Sequence, residues 1–254
     1  MKVFVRRVGL AAAALSLVSV AAPRVSAQAL PDAKELIQKY NEAVGGNAWQ
    51  SHTSARMKGT LEVPAAGMRA DIEAMNVFAT KTFYMKTTIP GMGEMLAGFD
   101  GTTAWSKEPM SGARILTGVE GEQAAEEADP EASMRTSANI LKSETLEKTT
   151  MNSQECYKVK HTWKSGRSSH DCFSVSTGLI VASIVKQTSM MGEMEVTTLL
   201  GDYKDFGGIK RAGTTTMQMM GQEIKTTVTA WEWDTVKPAD IEPPADIKAL
   251  LKKG

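Results

Sequence analysis

Arg56-Met57-Lys58-Gly59-Thr60-Leu61-Glu62-Val63 is the stretch whose reading settles the fold class. Met57, Gly59, Leu61 and Val63 fall on one side of an extended chain, and Arg56, Lys58, Thr60 and Glu62 on the other. That alternation predicts a strand with one face buried and one in water. Pro64 to Gly67 reads as a turn, and Met68 to Val77 returns as a second strand. Working outward, further period-two segments run to Thr117, punctuated by Pro90-Gly91, Asp100-Gly101 and Pro109 to Gly112. They resume at Cys156 as a meander that ends near residue 234. Upstream, Pro31 and Asp32 start a helix over 31–44 with the apolar stripe Leu36, Ile37, Tyr40 and Ala43. Gly45-Gly46 stops it.

Between the two runs of strands, Glu120 to Ser143 is rich in Ala, Glu, Met and Leu and is broken at Asp129-Pro130. It reads as two short helices, or a helix and a loop, inserted into the sheet. Pro238, Pro243 and Pro244 end regular pairing, and Asp246 to Leu251 adds a helical turn. No linker or composition shift divides residues 28–254, so a single mainly β (α+β) domain is expected, with an antiparallel sheet of about eleven strands. A sheet that wide curls, splits or closes, and the helices at 31–44 and 120–143 are available to cover its hollow side. Ala70, Ile72 and Ala74 share one face of the second strand. Such small residues either leave a cavity or admit a closely packed helix.

The chain has 254 residues, 23% charged and 42% hydrophobic, with 29 basic against 29 acidic residues. This composition excludes a disordered protein, and the charge balance excludes a nucleic-acid binder that relies on a basic surface. Residues 1–27 have the form of a signal peptide: Lys2, Arg6 and Arg7, then an apolar run from Val8 to Ala22, then Val25-Ser26-Ala27 ahead of a cleavage point near Ala27. The apolar run is shorter than the ~20 residues a membrane span needs. Residues 1–27 carry four basic residues and no acid, so the mature chain has four more acids than bases. An exported, periplasmic, mildly acidic protein is expected.

Cys156 and Cys172 are the two cysteines. In an oxidising compartment an even pair reads first as a disulfide, and both lie at equal distance from residue 164 in a strand-turn-strand segment. A catalytic thiol assisted by His161 or His170 is the competing reading. Neither flank has the helix N-terminus or Cys-x-x-Cys setting that activates a thiol.

Four blocks together resemble the outer-membrane lipoprotein-sorting family, the LolA-like periplasmic lipoprotein carriers. They are Ala43-Val44-Gly45-Gly46-Asn47-Ala48-Trp49, Phe99-Asp100-Gly101-Thr102-Thr103-Ala104-Trp105, Cys172 to Ile180 with its Thr177-Gly178-Leu179 turn, and Asp202 to Lys210 around Gly207-Gly208. They follow the family's order and span nearly all of the chain after residue 27. The resemblance implies a curved, incomplete β-barrel closed by helices, with an apolar cavity for the acyl chains of a lipid or lipoprotein. It also admits an envelope membrane complex as a partner. The cavity-lining Arg and Phe of the best-known carrier match no position here, so no binding residue is carried over.

Sixteen methionines are present, and they crowd at turns: Met68, Met92, Met95, Met190, Met191, Met194, Met217, Met219 and Met220. In a meander every second turn lies at the same end. If both halves run in the same sense, these thioethers ring one rim of the half-barrel. Three readings compete: an adaptable apolar mouth for lipid, soft ligands for Cu(I), or simple gap-filling. Trp231 and Trp233 share a strand face with Thr227 and Thr229, either as a binding platform or as core. His52, His161 and His170 form no metal-ligand pair on a helix, and His161 and His170 read as exposed strand residues. No nucleophile elbow, phosphate loop or dinucleotide fingerprint occurs. The expectation is a monomeric, non-enzymatic carrier of acyl chains without a cofactor. A Cu(I) binder and a hydrolase on a β-scaffold are the alternatives.

Overall fold

The computed structural model describes residues 29–189 and 192–252. The leader, Met190 and Met191 lie outside the described residues. The first meander contains β1 (Ser54–Val63), β2 (Met68–Val77), β3 (Thr82–Ile89), β4 (Gly93–Phe99), β5 (Ala104–Glu108) and β6 (Gly112–Leu116). The second contains β7 (Ile140–Met151), β8 (Gln154–Trp163), β9 (Ser168–Ser174), β10 (Ile180–Ser189), β11 (Gly192–Asp205), β12 (Lys210–Met219) and β13 (Gln222–Trp233). The helices are α1 (Ala33–Ala43), α2 (Gly118–Ala128), α3 (Pro130–Ser133) and α4 (Ala245–Leu251).

All thirteen strands form one antiparallel, curved sheet in the order β6-β5-β4-β3-β2-β1-β13-β12-β11-β10-β9-β8-β7. The two meanders meet in the middle, where Ala55 stands opposite Trp233 and Leu61 opposite Thr226. Strands β6 and β7 remain as free margins, so the sheet does not close into a barrel. At the central seam the register slips between Lys58 and Gly59. A Cβ at Gly59 would stand 2.5 Å from the Thr227 carbonyl oxygen, which is why a glycine stands opposite the bulge.

The helices divide between the two faces. Asp32 caps α1 by accepting from the Lys34 N–H at 2.7 Å. Leu36 and Tyr40 of α1, with Val44 just after it, bury against Val159, Phe173 and Ile180 on the concave face. On the same face α2 lays Ala128, Ala124 and Ala125 over Phe99, Ala104, Phe83 and Leu116. The opposite, convex face carries α4, whose Ile247 is fully buried against Leu96 and Trp105. Among the described residues no helix is long and apolar enough to cross a membrane.

Three expectations are corrected. The helical insert ends at Ser133 rather than Ser143, and residues from Ile140 form a further strand, β7. As a margin strand β7 leaves Leu141 and Leu146 exposed, and so lacks the clean alternation of a half-buried strand. The expected disulfide is not formed in this structure, where Cys156 and Cys172 are buried thiols close to one another. The β8–β9 turn is centred one residue later than the symmetric reading, so Cys156 pairs with Ser174 and Lys158 with Cys172. The two cysteines are diagonal neighbours, and burial, reinforced by a hydrogen bond with Cys156, pushes the Cys172 thiol up from its ordinary value. His161 is fully buried rather than exposed.

Candidate functional site

Between the concave face and the helices lies a cavity of about 390 Å³. Its floor is built by the central seam: Ala55 and Met57 of β1, Thr226, Val228, Trp231 and Trp233 of β13, and Asn76 of β2. Leu200 and Tyr203 of β11 and Thr215 of β12 form one wall. Tyr40 of α1 and Ala128, Pro130 and Ser133 of the α2–α3 segment form the roof. Six aromatic side chains (Tyr40, Trp49, Phe78, Tyr203, Trp231, Trp233) face it, and the lining is mainly apolar. The volume falls within the roughly 300–1,000 Å³ of small-molecule sites.

The polar tips of these rings are mostly occupied. Tyr203 donates to the Ile180 carbonyl at 2.8 Å, and Tyr40 to that of Ser133 at 3.4 Å. Burial raises the pKa of both phenols. The Trp233 Nε1–H donates to the Phe206 carbonyl at 2.7 Å, while its ring stacks on His52 at 4.6 Å between centroids. Among the described residues Trp231 Nε1 is buried without a partner. The guanidinium of Arg211, which also lines the cavity, lies 5.7 Å from the centre of the Trp231 ring.

The first and last of the four sequence blocks described above meet at one end of this cavity. The Lys210 N–H donates to the Val44 carbonyl at 3.0 Å. Gly45 packs directly on Gly208, and Trp49, from the first block, lines the wall.

The helical cover is attached differently on its two sides. Toward β4 and β5 the contact is mostly apolar, the Ala128, Phe99 and Ala104 cluster. Toward β8–β10 it is ionic and hydrogen-bonded. Glu126 of α2 accepts from Arg167 Nε at 2.6 Å and from the Ser165 N–H at 3.0 Å, and Gln123 donates to the Lys186 carbonyl at 3.3 Å. Arg135, just beyond α3, grips Asp171 of β9 with Nε at 2.5 Å and Nη2 at 3.1 Å, and also donates to the Ala132 carbonyl at 2.8 Å. His161 Nε2 lies 3.1 Å from Asp171 Oδ2, and His161 Nδ1 lies 2.8 Å from Ser143 Oγ. Burial alone would raise the Asp171 carboxyl. The Arg135 charge and its hydrogen bonds, with His161 close by, outweigh it and hold the group well below the ordinary carboxylate range. The Ser143–His161–Asp171 row has the order of a hydrolytic triad, but among the described residues His161 Nε2 makes no hydrogen bond. Its histidine is fully buried, and its carboxylate is committed to a guanidinium.

The register places the methionine-bearing turns at one end of the sheet. Because Glu62 pairs with Lys225, the β1–β2 and β12–β13 turns share an end. The β3–β4 turn, with Met92 and Met95, lies there too, as does the start of β11 near Met194. Met68, Met217 and Met219 complete the described members, and Met220 is 74% exposed. None of these seven lines the cavity. Met57 does, and it starts a concave-face row with Ala74 and Met85. Beyond it Leu61, Ile72, Met217 and Ile224, all half-buried, continue the apolar floor toward the methionine end.

Trp231 and Trp233 line the cavity, but Thr227 and Thr229 do not share their face. Thr226 and Val228 point inward instead. Thr229 is the extra residue of the seam bulge, and it flips the alternation between Val228 and Trp231. Sequence alternation alone carried no sign of that bulge beyond Gly59 itself.

No family model matches this chain, and no curated protein does. Solved structures match its fold. A DUF1329 family protein from Desulfovibrio piger superposes with a TM-score of 0.57 at 9% identity, covering 84% of this chain and 98% of that one. A LolA superfamily protein from Nitrosomonas europaea gives 0.56 at 11% identity, over 84% and 99%. A domain named for outer membrane lipoprotein sorting, from Vibrio parahaemolyticus, gives 0.52 at 14% identity, over 86% and 97%. The fold is LolA-like.

Proposed function

We propose that this protein is an exported, periplasmic, non-enzymatic carrier that shields the acyl chains of a lipid or lipoprotein in its half-barrel. The observation that carries the reading is the aromatic-walled cavity continuing into a half-exposed apolar trough on the concave face. An apolar cavity of this volume that continues into further apolar lining suits a hydrophobic ligand. Burying acyl chain there contributes about 0.8 kcal/mol per CH₂. Roughly ten methylenes, about 8 kcal/mol, correspond to micromolar affinity before the cost of association is subtracted. The α2–α3 cover is the part that shifts to admit a chain, because its contact with β4 and β5 is greasy and an acyl chain can replace it. The LolA superfamily and lipoprotein-sorting structures of the same fold support the reading.

Native mass spectrometry of the full chain purified from the envelope of producing cells tests it. Retained lipid is expected, together with displacement of a fluorescent fatty-acid probe. Ala55→Phe and Thr226→Trp, which fill the cavity from two separate strands, should each weaken the probe by at least about tenfold, roughly 1.4 kcal/mol, while the urea midpoint reports that both fold. An empty protein that ignores the probe would remove the carrier reading.

A further inference from the structure

Among the described residues, the cavity holds a cation without a counter-ion. Arg211 of β12 lines it, partly buried, with its guanidinium near the Trp231 face. Of its five N–H donors, the hydrogen bonds among the described residues use one, to the carbonyl of the adjacent Lys210 at 3.4 Å. The acids that share the cavity are engaged elsewhere. Asp129 accepts from Ser137 at 2.7 Å and pairs with Lys81 at 3.2 Å, and Glu127 lies 3.4 Å from Arg167. The Tyr40 and Tyr203 hydroxyls already donate to backbone carbonyls, and Lys210, the other cation of the lining, is exposed to water. Burial lowers the Arg211 pKa from its ordinary value, yet a guanidinium stays charged in a protein. An unpaired charge withdrawn from water costs free energy, and an arriving anion recovers it.

We propose that Arg211 anchors the anionic head of the bound lipid, a carboxylate or a phosphate, by a bidentate contact at the closed end of the cavity. This rests on the carrier reading and adds a direction to it. The head lies beside Trp231, and the chain runs past Met57 and Met85 toward the methionine end. Neutral acyl compounds can still bury their chains but leave the guanidinium unsatisfied.

Competition against a neutral fluorescent acyl probe separates the possibilities, using oleate, oleoyl lysophosphatidate, oleyl alcohol and inorganic phosphate on the wild type, Arg211→Gln and Arg211→Lys. At least one anionic lipid should outcompete oleyl alcohol by roughly tenfold or more, as expected for hydrogen bonds to a charged group. Arg211→Gln should abolish that preference, so that the anionic lipids compete no better than oleyl alcohol, and Arg211→Lys should restore part of it. A preference confined to oleate assigns a carboxylate head, and one confined to lysophosphatidate assigns a phosphate head. Equal binding of all three lipids to the wild type, or a preference that survives Arg211→Gln, overturns the anchor and leaves the carrier intact. Inorganic phosphate competing as well as lysophosphatidate would make this a free-anion site and overturn the lipid head. Failure of every acyl compound to bind overturns both readings together.

Discussion

Asp171→Asn is expected to destabilise the protein by about 3–5 kcal/mol at neutral pH, because it leaves Arg135 buried without its counter-charge. Asp171 is 1% exposed and receives two hydrogen bonds from Arg135. The pH dependence gives the effect a signature. A carboxyl held below its unfolded value stabilises the fold fully above about pH 4, and that stabilisation fades as pH falls toward the folded pKa. Urea midpoints measured from pH 7 to pH 3 should therefore show wild type and Asp171→Asn converging in acid. A gap that stayed constant over that range would mean the carboxylate's charge is not what holds α3 to β9.

The second large effect is expected at Gly45. Its φ is +112°, and a Cβ there would stand 2.3 Å from the Gly208 carbonyl oxygen, a backbone atom that cannot swing away. Gly45→Val combines backbone strain with overpacking and should cost roughly 2–5 kcal/mol. The neighbouring Gly46 provides the control. Its φ is +59°, but a Cβ there would meet nothing within 4 Å. Gly46→Ala should cost only about 1–2 kcal/mol, the ordinary left-handed penalty. Equal losses from the two substitutions would show that Gly45 and Gly208 do not close that end of the cavity by contact.

Different parts of the molecule were legible in the sequence for different reasons. The alternation at 56–63 is readable because β1 sits mid-sheet with one wet and one dry face. Asp129-Pro130 is readable because the aspartate caps α3, accepting from the Glu131 N–H at 3.2 Å, and the proline opens it. β7 is not readable, since a margin strand needs no regular alternation to keep its place. The Arg135–Asp171–His161 cluster is invisible for another reason. Its members come from three segments, and the register that brings Val159 opposite Asp171 depends on a turn centre that sequence placed one residue early. Arg211 gave no signal either, because the sequence sets it in a turn-rich block like any surface arginine.

The pairing of the first strand with the last carries a consequence for assembly. Ala55 cannot find Trp233 until nearly the whole chain has emerged, so the midline of the sheet is a late event while each flanking meander can zip locally. Until that join is made, the long edges of β1 and β13 are open to other chains, which is the usual hazard of unpaired strands. Synthesis from the N-terminus thus yields two half-sheets waiting on a final stitch, and the pocket between them exists only once it is sewn.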